Sequence, residues 1–406
     1  MLNFKDIECV GCTACSSICP VNALDMETDA EGFLRPVIVN SEKCINCGLC
    51  GKVCPVKNNQ KETAFTQLGA IVQIKNTEIR KESTSGGVFS AIALSILSRG
   101  GVVFGAAYDE KFHVKHICVD NEKDLSKLRG SKYVQSNLIG TFQNIKTLLN
   151  DNRQVCFSGT PCQIEGLRGF LQKDYENLLL VDIVCHGVSS PLIWEKYLDS
   201  IQKYNAEKIY FRWKHYGYKY STMSFFSEDD KEVYFSGVES DKMLRAYFSN
   251  GCDRETCYDC IFKKRYRISD FTIWDCFQPK IYDKGFDDDL GTSCVLVHTE
   301  KAKKLFNELV ADDVIKSSIV NPDELVFGNN EMVSSVKRNP IRDSILKDAA
   351  VMNSQQLFNK YFPDNLKQKS KKYIRLFLVK IGLYGFIKYR LFVCRRNKLK
   401  RGKECE

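Results

Sequence analysis

Several features that would assign this chain to a common class of protein are missing from its sequence. The first residues, MLNFKDIECV, contain no apolar run and no cleavage site of the kind found in signal peptides. No uncharged apolar stretch approaches the roughly 20 residues that a membrane-spanning helix needs. Neither the Gly-x-Gly-x-x-Gly pattern nor the P-loop pattern follows a predicted strand. These absences predict a cytoplasmic protein without a standard Rossmann or P-loop nucleotide site.

The C-terminal segment lacks acidic residues. The net charge of the 406-residue chain is +9, but residues 365–403 contain fourteen Lys or Arg and no Asp or Glu. The rest of the chain carries 45 basic against 50 acidic residues, a net charge of −5. The basic residues flank apolar blocks instead of spreading over a folded face, which argues against a nucleic-acid partner.

A helix over residues 371–396 would carry an apolar stripe beside a cationic face. The stripe comprises Tyr373, Phe377, Ile381, Tyr384 and Ile387. Two interpretations stay open. One is peripheral contact with an anionic membrane at its inner face, and the other is a helix docked on the protein body, since Gly382 and Gly385 weaken a free helix.

Cysteine, in contrast, is abundant, and eight of the 19 cysteines stand in two short runs. Residues 9–20 read CVGCTACSSICP and residues 44–55 read CINCGLCGKVCP. This is the C-x2-C-x2-C-x3-C-P spacing of bacterial ferredoxins, in which the fourth cysteine ligates the other cluster. The first predicted 4Fe-4S cluster binds Cys9, Cys12, Cys15 and Cys54, and the second binds Cys44, Cys47, Cys50 and Cys19.

Disulfides and zinc are the alternative uses of such cysteines. Disulfides need an oxidising compartment, which the N-terminal sequence does not indicate. A tetrahedral zinc site needs two Cys-x2-Cys pairs, and the third and fourth cysteines of each run exceed that need. Between the runs, ALDMETDAEGFLRPVIV predicts a hairpin of two short strands. A small two-cluster module is therefore predicted at the N-terminus.

The middle of the chain alternates strand and helix patterns. STSGGVFSAIALSILSRG predicts a turn and an apolar helix, GVVFGAAY a buried strand and NLIGTFQNIKTLLN an amphipathic helix. QVCFSGTPC and LLLVDIVC predict further buried strands, and helices are expected on both faces of a mainly parallel sheet. KIYFRWK, YSTMSFFS and KEVYFS predict an antiparallel meander. The predicted fold class is an α/β core with an α+β excursion, preceded by a small two-cluster ferredoxin domain.

Three turns of this core could hold a phosphate-bearing cofactor. STSGG at residues 83–87 precedes a helix, whose backbone N–H groups would point at an anion. RGSKYVQS at 129–136 offers a lysine, an aromatic ring and hydroxyl groups. SGTPC at 158–162 stands where a buried strand ends. A glycine pair before a helix also serves as a cap or a packing accommodation, so each turn alone is a weak signal.

Further cysteines follow the predicted core strands. Cys162 and Cys185 each come just after a strand, and Cys257 and Cys260 form one more Cys-x2-Cys pair. These four could bind a third cluster. The alternatives are inert buried thiols at Cys162 and Cys185 and a structural zinc knuckle, whose ligands would be Cys252, Cys257, Cys260 and Cys276.

Five segments occur in order behind the two cysteine runs: STSGGVFSA, GSKYVQS, SGTPCQIEGL, VDIVCHGVSSP and CYDCIFKKRYRISDFTIWD. With them the chain resembles the beta subunit of coenzyme F420 hydrogenases and dehydrogenases, from about residue 9 to residue 278. It is most similar to the stand-alone bacterial branch that is often associated with surface-polysaccharide synthesis. One departure is Cys276-Phe277-Gln278, where family members usually have Phe-Trp-Gly.

The resemblance implies an FAD- and 4Fe-4S-dependent oxidoreductase. Electrons would pass from the two ferredoxin-type clusters through an inner 4Fe-4S cluster to FAD and on to an organic substrate. The implied ligands of the inner cluster are Cys162, Cys185, Cys257 and Cys260, with Cys252 as another candidate for the fourth. The implied flavin contacts are Ser85, Gly86, Gly87, Ser131, Lys132, Tyr133, Gln135, Ser136, Gly159 and Thr160.

His186 and Lys132 are candidate catalytic residues, and each could equally be structural. The expected partners are an electron donor or acceptor such as ferredoxin, and a substrate such as a nucleotide-sugar, a lipid-linked sugar or a small conjugated molecule. No deazaflavin site is evident. The alternative function is a non-catalytic ferredoxin-like electron carrier or binding module with a structural zinc site.

The resemblance and the composition together predict five segments along the chain. They are a ferredoxin-like head (1–57), a linker (58–67), a flavin-binding α/β domain (68–205), a C-terminal part with the inner-cluster cysteines (206–364) and a basic amphipathic tail (365–406).

Overall fold

The computed structural model describes residues 8–403, with side chains up to residue 401. The prediction that no signal peptide is present falls mostly on residues 1–7, outside this range. The strands are β1 (Leu24–Thr28), β2 (Leu34–Ile38), β3 (Leu68–Ile74), β4 (Val102–Tyr108), β5 (Val114–Val119), β6 (Val155–Gly159), β7 (Leu178–Ile183), β8 (Lys208–Trp213), β9 (Thr222–Phe226), β10 (Glu232–Ser236), β11 (Phe271–Asp275), β12 (Ser293–Val297) and β13 (Ile315–Ile319).

The α-helices of residues 8–403 lie before, between and after these strands. They are α1 (Ala14–Ile18), α2 (Leu49–Lys52), α3 (Thr77–Glu82), α4 (Val88–Ser98), α5 (Thr141–Asn150), α6 (Pro161–Leu171), α7 (Pro191–Ile201), α8 (Lys242–Phe248), α9 (Glu300–Ala311), α10 (Pro322–Val326), α11 (Asn330–Val333), α12 (Arg342–Val351), α13 (Ser354–Tyr361), α14 (Leu366–Lys380) and α15 (Tyr384–Lys403).

The two cysteine runs of the head fold into the same backbone conformation twice. In each run the third and fifth residues have positive φ, at Gly11 (65°) and Thr13 (66°) and again at Asn46 (52°) and Gly48 (73°). A short helix follows in each case, α1 in the first run and α2 in the second. Between the runs, β1 and β2 pair antiparallel, as predicted. The repeated spacing in the sequence is therefore a repeated structure.

The body is built on an eight-stranded sheet of order β13-β3-β12-β11-β7-β6-β4-β5. The four central strands β11, β7, β6 and β4 are parallel, and the four outer pairings are antiparallel. The α/β core with its α+β excursion is confirmed, but the prediction of a mainly parallel sheet is wrong. Antiparallel strands need no crossover helix, and β4 returns directly as β5 through a tight turn at residues 109–113.

Helices cover both faces of the sheet, as predicted. On one face α4 and α9 bury Ile96 and Phe306 against the strands. On the other face α5 and α6 do the same, and their apolar core continues into the head through Val10, Ala14 and Val53. The head therefore shares a core with the body, and each of the two buried valines contributes about 1.5–3 kcal/mol.

Two glycines of α6 let the head approach closely. A Cβ on Gly166 would lie 2.7 Å from the Cβ of Cys12, and one on Gly169 would lie 2.4 Å from the carbonyl oxygen of Val53. Both distances are too short for a real side chain. The helix α6, whose second residue is Cys162, is thus in contact with both cysteine runs.

Replacing Gly169 by alanine is expected to push the head away from α6, because the new methyl group overlaps a backbone carbonyl that cannot rotate aside. We expect a loss of about 1–3 kcal/mol in the free energy of unfolding and faster proteolysis within residues 58–67. Gly105→Ala is the control, since a Cβ there would make ordinary contacts at 3.4 Å. Equal stability of the two variants would contradict the close approach.

The predicted meander is confirmed as the antiparallel sheet β10-β9-β8. It packs with helices α7, α8, α12 and α13 in a third core, in which Trp194 and Phe358 are each 1% exposed. This core includes Val114 of β5 and packs against Ala106 and Tyr108 of β4, and Tyr133 lies next to Phe211 of β8. The excursion therefore lies beside this end of the large sheet and the GSKYVQS turn.

The tail consists of two helices, where the sequence predicted one helix over 371–396. The break follows Lys380, and Gly382 adopts a φ of 71°, which an L-residue side chain disfavours. The second helix, α15, docks on the body, where Arg396 pairs with Glu324 and donates to the carbonyl oxygen of Phe327 at 3.2 Å. Among residues 8–403, no helix combines the length and apolar character that crossing a membrane requires.

Candidate functional site

The turns after the central parallel strands surround a cavity of about 730 Å³. Ligands of open α/β sheets bind at this carboxyl edge of the strands. All the predicted flavin contacts and catalytic residues except Gly86 line the cavity. They are Ser85, Gly87, Ser131, Lys132, Tyr133, Gln135, Ser136, Gly159, Thr160 and His186. The volume lies within the range of about 300–1,000 Å³ found for ligand pockets.

The STSGG turn is held tightly against the sheet. A Cβ on Gly86 would lie 2.3 Å from the carbonyl oxygen of Val72, and Gly87 has a φ of 79°. Both glycines are thus needed for packing and backbone conformation. Helix α4 begins at Val88 without a side-chain cap, and residues 88–90 line the cavity. Its first N–H groups are therefore available to an anion.

Hydrogen bonds join the predicted turns to one another. The N–H of Ser131 donates to the Oγ1 of Thr84 at 2.9 Å, which connects GSKYVQS to STSGG. The N–H of Gln135 donates to the carbonyl oxygen of Ser189 at 3.2 Å, which connects it to the segment after β7. The Oε1 of Gln135 accepts from the N–H of Leu34 at 2.8 Å, so the same turn also contacts the head.

Lys132 lies in the cavity wall with its ammonium group bound to backbone. It donates to the carbonyl oxygens of Arg129 (2.8 Å), Lys127 (3.2 Å) and Gly130 (3.2 Å). It also lies 5.5 Å from the ring centre of Tyr108, and burial lowers its pKa to about 7. These contacts favour a structural role, and its role in catalysis stays a prediction.

His116 lines the cavity and was missed in the sequence. Its Nδ1 lies 2.7 Å from the Oγ of Ser136, and its Nε2 lies 3.0 Å from the carbonyl oxygen of Ser158. Burial lowers its pKa to about 4, so the ring is neutral at pH 7. Nε2–H must then donate to the carbonyl oxygen, and Nδ1 accepts from the hydroxyl group. Nothing in VKHICV marks this residue, because its partners come from distant turns.

Four cysteines from three segments line a second, smaller cavity beside the first. Cys162 is the second residue of α6, Cys185 follows β7, and Cys257 and Cys260 lie on the segment before β11. Burial, together with the charges of the neighbouring Cys162 and Cys260, raises the pKa of Cys257 to about 12. Cys162 and Cys185 also line the large cavity. The structure thus brings together the four predicted ligands of the inner cluster.

The other two cysteines of this region lie elsewhere. Cys252 is fully buried in the third core, between α7, α8 and α12. Cys276 packs against Cys294 of the neighbouring strand. The ligands of the zinc knuckle considered above are therefore in three separate places. Within residues 8–403, no group of three or more His, Cys, Asp or Glu is arranged to hold a single metal ion.

Arg254 lies between the four cysteines and the head. It is 3% exposed, and its guanidinium group donates to the carbonyl oxygen of Val10, to the Sγ of Cys162 at 3.8 Å and to the Oγ1 of Thr256 at 3.1 Å. Among the described residues it has no ion pair with a carboxylate. The thiolate forms of the surrounding cysteines, first Cys257, raise its pKa against the effect of burial. The sequence offers a signal for it, since it stands within CDRETC.

His186 lies between the cysteine site and the third core. Its Nδ1 is 3.0 Å from the Oε1 of Glu331, and its Nε2 is 2.8 Å from the Oδ1 of Asn250. Burial lowers the pKa of His186, but Glu331 outweighs burial, and the net shift is upward. Asp253 next to Gly187 is 0% exposed, and neither carboxylate oxygen has a hydrogen-bond partner among the described residues. Burial raises its pKa to about 6.

The first of the two predicted ligand sets of the head lies next to this region. Burial, together with the nearby sulfurs of Cys9 and Cys54, raises the pKa of Cys15 to about 12. Cys12 is buried against α6 and feels the charge of Cys162. Members of the second set lie nearer the surface, with Cys47 exposed. No disulfide joins any two of the described cysteines.

The far wall of the cavity contains the departure from the family pattern. Arg212 of β8 pairs with Asp275 at 2.5 Å and lies 5.3 Å from the ring centre of Phe277. Tyr218 donates to the Oδ1 of Asp275 at 2.8 Å and stacks on Phe277. The substituted residue Phe277 is thus part of an ordered aromatic and cationic wall. Sequence reasoning missed Arg212 because an arginine in an exposed-looking strand gives no such signal.

Family models match most of the chain. The model "Coenzyme F420 hydrogenase/dehydrogenase, beta subunit N-term" matches residues 71–142, and the model of its C terminus matches residues 152–323. A "4Fe-4S dicluster domain" matches residues 8–58.

Two relatives show the extent of the similarity. A subunit of the F(420)H(2) dehydrogenase of Methanosarcina mazei is 21% identical over 205 residues, which cover 50% of this chain and 48% of the relative. The chain therefore matches about half the length of this relative. A chain of the F420-reducing [NiFe] hydrogenase complex from Methanosarcina barkeri has 17% identity and a TM-score of 0.42, with 75% of this chain and 95% of that chain covered.

Both halves of one family model thus match in order on the body, behind a dicluster domain on the head. They include every turn and cysteine segment that surrounds the two cavities. As an iron-sulfur protein of an oxidoreductase kind, this chain belongs to the family of the coenzyme F420 hydrogenase/dehydrogenase beta subunit.

Proposed function

We propose that this protein is an iron-sulfur flavoprotein oxidoreductase. Electrons pass between the ferredoxin-type clusters of the head, an inner 4Fe-4S cluster and FAD, and then to an organic substrate. The observation that carries the proposal is the position of Arg254, which contacts the head at Val10 and the inner site at Cys162. It also lines the large cavity, so all three proposed cofactor sites meet at one buried cation.

The residues of the inner site fit an anionic cluster. A buried guanidinium group without a carboxylate partner is costly unless another anion is nearby. Four cysteine thiolates around a 4Fe-4S cube supply that negative charge. The proposed ligands are Cys162, Cys185, Cys257 and Cys260. Cys252 is not among them, because it lies in an apolar core away from these cysteines.

The residues of the large cavity fit FAD. The uncapped start of α4 and the hydroxyl group of Ser131 offer donors for a diphosphate, and the hydroxyl oxygens of Ser85 and Ser136 can accept from a ribityl chain. Cys162 and Cys185 form the boundary between this cavity and the inner site. FAD supplies the exchange between one-electron clusters and a two-electron organic reaction.

The protein residues around the cavity hold its turns in position and leave little net charge on its walls. His116 stays neutral and ties the Ser136 turn to the Ser158 turn, so it adds no charge to the cavity. Arg212 and Asp275 neutralise each other on the opposite wall. His186 is the remaining candidate for a proton donor, because it lines the cavity and Glu331 favours its charged form.

The proposed partner is an electron donor or acceptor such as ferredoxin, which would meet the second, more exposed cysteine set of the head. The proposed substrate classes remain a nucleotide-sugar, a lipid-linked sugar or a small conjugated molecule, with surface-polysaccharide synthesis as the process. We place the protein in the cytoplasm or at the inner face of the membrane. The alternative is an electron carrier without catalysis, whose large cavity would then contain no flavin.

Cofactor analysis of anaerobically purified protein separates these functions. We expect about twelve iron atoms per chain from three 4Fe-4S clusters, together with one FAD that is released on denaturation. Iron and acid-labile sulfide are measured chemically, and flavin is measured by absorbance after extraction. About eight iron atoms without flavin would favour the carrier. Zinc in place of four of the iron atoms would contradict the inner cluster.

A further inference from the structure

The hairpin of α14 and α15 exposes large apolar side chains along its surface. Tyr373, Ile374 and Phe377 lie within one turn of α14, and Phe386 and Leu391 lie on α15. Monomeric proteins rarely expose large apolar residues at this density without a partner. Within residues 373–391 the most exposed of these side chains, 46–68% accessible, are Tyr373, Ile374, Phe377, Leu383, Phe386 and Leu391.

The same hairpin has a large uncompensated positive charge. The hairpin contains fourteen basic residues, and of those with described side chains, up to Arg401, only Arg375, Arg396 and Lys400 form ion pairs with carboxylates of the body. The other basic residues up to Arg401 have no ion pair with a described carboxylate. Exposed apolar side chains flanked by free lysine and arginine residues are typical of helices that lie in a membrane interface.

The opposite side of α15 forms part of the large cavity. Tyr384 and Lys388 line it, and the ammonium group of Lys388 donates to the carbonyl oxygen of Lys219 at 2.7 Å. The ring of Tyr384 packs on that of Tyr220 with centres 5.2 Å apart. Phe386, two residues after Tyr384, lies on the opposite side of α15 and is 59% exposed, so one helix has a wall of the cavity on one side and an exposed phenylalanine on the other.

We propose that the hairpin of α14 and α15 docks on an anionic lipid surface and holds the adjoining end of the cavity at that surface. Phe377 and Phe386 enter the interface, and the free basic residues contact the lipid headgroups. A second copy of the chain is a poorer occupant, since two tails of like charge repel each other. Given the proposed function, this geometry selects an amphiphilic substrate that reaches the cavity from the membrane.

Vesicle flotation of the full-length holoprotein tests the docking. The probes are vesicles of phosphatidylcholine alone and of phosphatidylcholine mixed with phosphatidylglycerol, at low and high salt. We expect binding to the mixed vesicles at low salt, and a loss of at least about tenfold in affinity for Phe377→Ser combined with Phe386→Ser. Lys371→Gln combined with Lys380→Gln should weaken binding at low salt only, because salt screens the charges.

The control replaces exposed apolar residues of the body, Val351→Ser combined with Ile319→Ser, and should leave vesicle binding unchanged. Hydrogen exchange is the second readout, with protection expected over residues 366–395 on the mixed vesicles and not over α9. Binding that ignores lipid charge and survives the double phenylalanine change would overturn the proposal. So would a change of oligomeric state in that variant without any effect on flotation. Iron and FAD contents are measured separately, so a failed docking is distinct from a failed flavoprotein assignment.

Discussion

Replacing Cys257 by serine is expected to lower the iron content from about twelve to about eight atoms per chain. Cys257 is buried with Cys162 and Cys260 at the small cavity, and a serine hydroxyl group is a poor ligand for iron. The signal of one cluster should disappear from the EPR spectrum of the dithionite-reduced protein. Reduction of FAD through the head clusters should stop, because the inner site lies between the head and the large cavity.

Cys252→Ser is the matched control for this change. The two cysteines are five positions apart and both buried, but Cys252 packs in the third core with Met243 and Ile345. We therefore expect this variant to keep about twelve iron atoms and to lose only some stability. If the Cys252→Ser variant lost the inner cluster and the Cys185→Ser variant kept it, the fourth ligand would be Cys252.

Replacing Arg254 by methionine is expected to have opposite effects on the protein with and without clusters. Without clusters, the change removes a buried cation that has no carboxylate partner among the described residues, so the free energy of unfolding should stay the same or rise. With clusters, the change removes the positive charge that offsets the thiolates of Cys162, Cys257 and Cys9. Reduction adds a further negative charge, so the midpoint potential of the inner cluster should fall.

Arg342→Met separates this electrostatic effect from simple loosening of the head. Arg342 is also a buried arginine, 2% exposed, and it reaches the head through Glu31 at 2.5 Å. Its other partners are the carboxylates of Glu255 and Asp343. Losing these contacts should cost about 1–3 kcal/mol, because the carboxylates left behind are exposed to water, and it should not move the potential. Equal potentials in the two variants, measured by EPR-monitored redox titration, would contradict the assignment of Arg254.

Some elements of the fold could be predicted from the local sequence pattern alone. The hairpin between the cysteine runs, the apolar helix α4 and the meander β8–β10 each formed as the local pattern of the sequence predicts. The direction of the outer strands of the large sheet, predicted as mainly parallel, did not follow from that pattern. β5, with the sequence VKHICV, pairs antiparallel because a five-residue turn returns the chain directly, and apolar content alone does not reveal strand direction.

The tail shows the same limit. Its charge and apolar spacing predicted an amphipathic helix, but one left-handed glycine at position 382 divides it in two. After that break Tyr384, predicted as part of one apolar stripe, lines the cavity. A pattern of i, i+3 and i+4 positions says which residues share a face of a helix. It does not say where the helix ends or which face meets the body.

The sequence by itself determined the chemistry of the head and the family of the body. Cysteine spacing of two and three residues is local, so it specifies cluster ligation without knowledge of the fold. The tertiary structure decided which distant groups meet. It placed Cys185 with the Cys257 pair and Cys252 apart, and it set Arg254 between head and body. Such meetings depend on strand order and packing across hundreds of residues, which no local spacing encodes.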